Sequence, residues 1–147
     1  MMNSWGLFFS FGGRLNRLMW WLVGIAIHFI FMVGFFVALG LAFAGAGRLA
    51  LTGGLTLLGG VCWAALAVGS KRLHDRDKSA WWLLLFLVAP IVLHAIGRHA
   101  AAPGGRIVGL AGTAIWLWAV VELGFLPGTA GPNRFGPDPV PPLRVPV

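Results

Sequence analysis

His74 and Asp75 stand side by side in the stretch KRLHDRDKSAWW, Lys71 to Trp82. A histidine next to an aspartate suggests a metal-dependent phosphohydrolase, in which both side chains would ligate the ion. Such a site needs further histidines and carboxylates. Near this stretch the sequence offers only Asp77, Asp138 and Glu122 as acids, and no second histidine. Adjacent side chains also diverge on most backbones, which makes a neighbouring His–Asp dyad poor acid–base geometry. No Walker loop, zinc-ligand spacing or nucleophile elbow occurs elsewhere. The residues therefore point away from catalysis, with no catalytic residue, metal or cofactor expected.

The knot is dense all the same. It holds four of the chain's eleven basic residues and two of its four acids. Lys71 and Arg72 read as the cationic end of one helix. Asp77 and Ser79 read as caps of the next, and Trp81 and Trp82 as rings that settle at lipid headgroups.

The surroundings explain why such a loop is needed. The chain has 147 residues, of which 59% are hydrophobic and 10% charged, with mean hydropathy +0.86. A soluble domain carries roughly 25% charged residues, so this composition describes a membrane protein. The net charge of +7 then reads as a topology signal and an attraction to anionic lipid, not as nucleic-acid binding. The lone Cys62 lies in an apolar run and is expected to be a small packing residue.

Four apolar segments cover about residues 18–44, 49–70, 80–97 and 107–126. Each has the roughly 18 or more residues a helix needs to cross the hydrocarbon core. The first is too long for a signal-peptide core and is read as a retained helix. Eight cations (Arg14, Arg17, Lys71, Arg72, Arg76, Lys78, Arg134, Arg144) fall on one side of the spans, and Arg48, Arg98 and Arg106 on the other. The positive-inside rule puts the first group in the cytoplasm. The expected fold is an all-α membrane protein: a four-transmembrane-helix bundle forming a single membrane domain, with both termini cytoplasmic. Seven of the nine prolines lie from Pro127 onward, which predicts an extended cytoplasmic tail over 127–147. Pro90 is expected to kink the third span. Trp63, Trp116 and Trp118 are read as packing residues. The small-residue pairs Ala65/Gly69, Gly40/Ala44 and Gly105/Gly109 allow close helix approach.

Ionisable residues within spans default to functional readings because they are costly there. At 1.5 Å per residue, His28 lies roughly 15 Å and His94 roughly 21 Å from the cytoplasmic ends of their helices, and Glu122 only about 6–7 Å. These depths separate the three. The two histidines are expected to be neutral and hydrogen-bonded across helices. Glu122 is expected to pair with Arg14, Arg17 or Arg72, or else to snorkel to the interface.

Three segments together resemble one family. FSFGGRLNRLMWW (Phe9–Trp21) is similar to its opening motif, KRLHDRDKSAWW to its central motif and GFLPGTAGPNRFGPDP (Gly124–Pro139) to its closing motif. Lys71, Ala80 and Met19 depart mildly from the usual pattern. The family is the domain of unknown function 805 group, the YhaH-like bacterial inner-membrane proteins. The resemblance implies an inner-membrane location and no established activity. All three motifs fall on the cytoplasmic side by the charge count. That predicts one polar cluster of Arg14, Arg17, Arg72, His74, Asp75, Lys78, Asn133, Arg134 and Asp138, with Asn133–Gly136 turning the tail back.

The functional expectation is a non-enzymatic protein whose basic cytoplasmic face binds anionic lipid headgroups or a partner protein. The alternative is a small transporter or permease-like subunit acting as a homo-oligomer, and it suffers from a shortage of polar residues along the spans. An enzyme acting on lipid headgroups would rest on His74 and Asp75 alone.

Overall fold

The computed structural model describes residues 4–140, and side chains from residue 6 onward. Arg144, counted above on the basic side, and the end of the tail lie outside the described residues. The described chain is helical: α1 (Ser4–Phe9), α2 (Arg17–Phe43), α3 (Gly47–Asp75), α4 (Trp82–His99) and α5 (Gly104–Val120), the last continued by a π-helical turn, Val121–Phe125. The only β pairing among the described residues is an isolated bridge between Asn133 and Gly136. Four helices are long and apolar enough to cross a membrane: Arg17–Phe43, Gly47–Asp75, Trp82–His99 and Gly104–Phe125. Large apolar side chains stand exposed all round them, Phe29, Leu55, Ile91 and Ile107 among them, as expected of helices whose solvent is lipid.

The chain groups into two compact units, residues 4–11 with 18–68, and residues 12–17 with 69–140. In the first, Gly34 lets Leu57 approach so closely that a Cβ would collide with its side chain, and Gly54 lies against Ala38. Phe11 meets Trp63 edge-on, with ring centroids 5.1 Å apart. Gly40 has open space around it, so its pairing with Ala44 serves no close approach here. Cys62 is exposed and does not fill a gap between helices. His28 Nδ1 donates to the Gly24 carbonyl of its own helix at 2.7 Å, not to a neighbouring helix. A ring one turn from a main-chain carbonyl satisfies itself locally, so depth alone did not require a cross-helix partner.

In the second unit α4 and α5 form a hairpin with close contact at both ends. Near the turn, a Cβ on Gly97 would lie 2.6 Å from the Gly105 carbonyl and 3.1 Å from the Gly109 nitrogen. The expected small pair therefore works within this hairpin. At the other end Trp118 meets Trp82 and Phe86 edge-to-face, with centroids 5.6 and 5.3 Å apart. His94 does reach across: its Nδ1 donates to the Pro90 carbonyl at 2.7 Å, and its Nε2 lies 3.2 Å from the Thr113 hydroxyl of α5. Trp116 is 56% exposed and faces outward rather than packing.

The largest departure from the expected elements is the end of α3. The apolar run stops at Ser70, but the helix continues five residues further, through Lys71–Asp75. Hydropathy marks where lipid ends, not where a helix ends. Lysine, arginine and leucine are good helix formers, and cations suit the carbonyl end of the helix dipole. The helix stops in a Schellman turn: Lys78 N donates to Leu73 O (2.9 Å) and Asp77 N to His74 O (3.0 Å). Asp77 holds the left-handed conformation this needs, at φ 55°, which aspartate tolerates better than most residues. Asp77 thus closes α3 instead of capping α4, whose start has no side-chain cap.

Candidate functional site

Because α3 extends through Asp75, the charged knot becomes its last turns, with side chains on defined faces. Three residues apart, Arg72 and Asp75 share a face, and Arg72 Nη1 bonds Asp75 Oδ2 at 2.6 Å. Arg14, from the segment before α2, grips the other carboxylate oxygen through Nε (3.0 Å) and Nη2 (3.0 Å). All three side chains are buried, with Arg72 at 0% exposure. One carboxylate therefore anchors two guanidinium groups out of water.

The remaining arginine donors go to main chain. Arg14 donates to the carbonyls of Thr129 (2.6 Å), Gly131 (2.6 Å) and Gly136 (3.4 Å). Arg72 donates to Leu123 O at 2.6 Å and to Leu126 O. These last carbonyls belong to the π-helical turn and the residue after it, where a helix end leaves acceptors unmet. Arg72 of α3 thus caps the α5 segment. The tail returns the favour: Thr129 donates to Asp75 O through N (2.8 Å) and Oγ1 (3.1 Å), and Asn133 Nδ2 to His74 O (2.9 Å). Leu15 N adds a bond to Lys71 O at 3.1 Å.

The tail segment that makes these contacts is itself shaped by short-range bonds. Asn133 Oδ1 accepts from Phe135 N at 2.9 Å, and Asn133 and Gly136 exchange backbone bonds of 3.0 and 3.1 Å. Gly136 has φ 139°, open to glycine alone among ordinary residues. The resulting turn lays the Phe135 ring on His74, with centroids 3.9 Å apart and planes 4° from parallel. His74 Nδ1 lies 3.2 Å from the Gly13 carbonyl. Histidine and aspartate thus point to different partners, the ring into a stack and the carboxylate into the arginines. Among the described residues no group of three His, Cys, Asp or Glu side chains is placed to hold a metal.

Asp138 fixes the far side of the turn, accepting from Gly131 N (2.8 Å) and Val140 N (2.9 Å). Those two backbone bonds hold its carboxyl below the ordinary value of 3.8, with Arg14 adding to the effect. A depressed folded-state pKa contributes stability that is present above the unfolded value and is lost as pH falls through the depressed one. The Gly131 amide resonance should therefore move as pH falls below 3.8, and Asp138→Asn should abolish that movement. An identical pH response in the variant would show that another group controls the turn.

Glu122 forms a second, smaller centre. It is buried, and its Oε1 accepts from Arg76 Nε (3.0 Å) and Lys78 Nζ (2.8 Å). Lys78 also lies over the Trp82 ring at 4.8 Å and the Trp118 ring at 5.9 Å. Glu122 is paired with an arginine, as the sequence suggested, but not with Arg14, Arg17 or Arg72. Those depend on other acceptors, and Arg76 occupies the position that reaches Glu122. Arg76 was not singled out from sequence, although it follows Arg72 by one helical turn. Arg76 Nη1 also donates to Pro127 O at 2.6 Å.

Of the nine residues expected to cluster, Arg14, Arg72, His74, Asp75 and Asn133 share one buried network with the tail backbone. Asp138 braces it, Lys78 serves Glu122, and Arg134 lies outside, paired with Asp77 at 3.1 Å and over Phe135 at 4.8 Å. Arg17 is exposed and donates to Phe125 O at 3.3 Å.

The match of this chain to a known family covers these elements up to the residue before Asp138. The profile of a family described as "Protein of unknown function (DUF805)" matches residues 8–137. The chain belongs to the DUF805 family. Among its relatives, "Uncharacterized protein YiiR" of Escherichia coli (strain K12) is 35% identical over 136 residues, covering 88% of this chain and 86% of that protein. "Inner membrane protein YhaH" of the same strain is also 35% identical over 136 residues, covering 88% of this chain and 87% of that protein. No solved structure matches significantly. Family membership, four membrane-length helices and an inner-membrane relative together make this a membrane protein of that family. The matched region takes in both Arg14 and the Asn133–Gly136 turn, so the whole clamp lies within it.

Proposed function

We propose that this protein is a non-enzymatic component of the bacterial inner membrane whose basic end faces the cytoplasm and binds anionic phospholipid headgroups. The observation that carries the reading is the charge balance in the second unit. Among the described residues, seven of its cations (Arg14, Arg17, Lys71, Arg72, Arg76, Lys78, Arg134) and all four acids (Asp75, Asp77, Glu122, Asp138) fall outside the α4–α5 turn end, an excess of three positive charges, while Arg98 and Arg106 flank that turn. The cytoplasmic placement rests on the distribution of cations between the two sides of the spans. Arg14 and Arg72 are buried and spent on Asp75 and main-chain carbonyls, so they are not the contacts for lipid. That role falls to the exposed Arg17 and Arg134, with Arg76 and Lys78 half-buried beside them. The clamp supplies a rigid platform and the outer arginines supply the donors.

Native mass spectrometry of the detergent-purified protein, titrated with phosphatidylglycerol or phosphatidylcholine, tests this. The Arg17→Ala/Arg134→Ala double variant should lose about 2 kcal/mol of phosphatidylglycerol affinity, roughly thirty-fold, with phosphatidylcholine unaffected. Unchanged phosphatidylglycerol retention in a folded double variant would overturn the reading.

A further inference from the structure

At the other end of the α4–α5 hairpin stands a cation with no counter-ion. Arg98, in the last turn of α4, is exposed, and its side chain makes no hydrogen bond or ion pair among the described residues. The stretch from Ala80 to Val121 contains no acid at all, so neither α4, nor α5, nor the turn joining them can neutralise it. Arg98 also closes a groove of about 390 Å³ lined by Pro90, Ile91, His94, Arg98 and Trp116. On α4 the lining residues follow helical spacing, 90/91, 94 and 98, and so form one stripe. Its floor is apolar and faces outward: Ile91 is 69% and Trp116 56% exposed.

We propose that this groove is a binding site for one anionic phospholipid, with the phosphate on Arg98 and an acyl chain along Ile91 and Trp116. The occupant follows from the chemistry of the lining. A guanidinium at the end of a groove whose other lining is Pro90, Ile91, Trp116 and the internally bonded His94 matches an amphiphile with a charged head and a hydrocarbon tail. Arginine presents forked donors suited to phosphate, and its stem can lie along apolar surface while the head reaches the interface. His94 does not compete for the headgroup, because both ring nitrogens are engaged by Pro90 O and Thr113 Oγ1. Those bonds fix the ring as a wall of the groove. The site shares no residue with the headgroup-binding face proposed above, lies at the opposite end of α4, and stands whether or not that reading holds.

The experiment uses the full-length protein in detergent, with phosphatidylglycerol as the probe and native mass spectrometry as the readout. Arg98→Ala should remove one bound phosphatidylglycerol, weakening that step about fivefold. Arg98→Lys should recover part of it, and the Arg17→Ala/Arg134→Ala variant should leave it intact. An unchanged lipid count in both Arg98→Ala and Arg98→Gln would overturn the proposal, as would equal retention of phosphatidylcholine. A shift from dimer to monomer in Arg98→Ala, without lipid loss, would assign the groove to a second copy of the chain and also overturn it.

Discussion

Asp75→Ala is expected to destabilise the protein by about 3–5 kcal/mol, the cost of leaving a buried charge without its partner. Here two guanidinium groups lose one carboxylate. Both Arg14 and Arg72 sit out of water beside Asp75, at 3.0 and 2.6 Å, and neither can swing to solvent without releasing the carbonyls of Thr129, Gly131 or Leu123. Asp75→Asn keeps one acceptor oxygen and the side-chain shape, and should fall between Ala and the native residue. Thermal unfolding in detergent measures the ordering. A native-like midpoint for Asp75→Ala would show that the arginines hold the tail without the acid.

Gly128→Ala is expected to cost about 2–3 kcal/mol, the upper part of the range for overpacking a filled site. A Cβ at residue 128 would fall on the Asp75 carboxylate, 2.6 Å from Cγ and 2.9 Å from Oδ1, with Oδ2 closer still. Many such clashes are relieved by a side chain moving aside. Asp75 cannot do so, because each oxygen is bonded to a different arginine. The tail must lift instead, so new protease cleavage between residues 126 and 138 should accompany the loss of stability. Gly104→Ala, with nothing within 4 Å of its added Cβ, is the matched control. If the two alanine variants behave alike, the close approach at Gly128 is not a constraint.

What the sequence made legible follows the physics of each signal. The spans were readable because lipid demands long apolar runs, and the helix starts at Arg17 and Gly47 fall within a few residues of the expected positions. The end of α3 was not readable from hydropathy, since Lys71–Asp75 is helical for local reasons that polarity masks. The three motifs and the charge count pointed to the segments that meet, but only Arg14, Arg72, His74, Asp75 and Asn133 of the nine expected residues share the network. Which donor meets which acceptor was not readable. Arg76 reaches Glu122 because α3 runs on to Asp75 and sets the direction of the residue that follows, an extension that hydropathy does not mark. Arg14 and Arg72 looked like surface cations available to a ligand. Their burial depends on tail carbonyls, and backbone acceptors leave no mark in a sequence.

The reciprocal capping of α3 and the tail has a consequence for how the chain is made. Arg14, Arg72 and Asp75 are synthesised long before Leu123, Thr129 and Gly131, the residues whose carbonyls complete their bonding. Until those are made, Asp75 can accept from both arginines, but the donors they aim at main chain have no acceptor. A chain halted before Leu126 keeps that unfinished surface, while one carried past Gly136 buries it. The clamp therefore marks a chemical difference between a chain carried past Gly136 and one halted before Leu126: the first has its arginine donors met by main chain and the second does not.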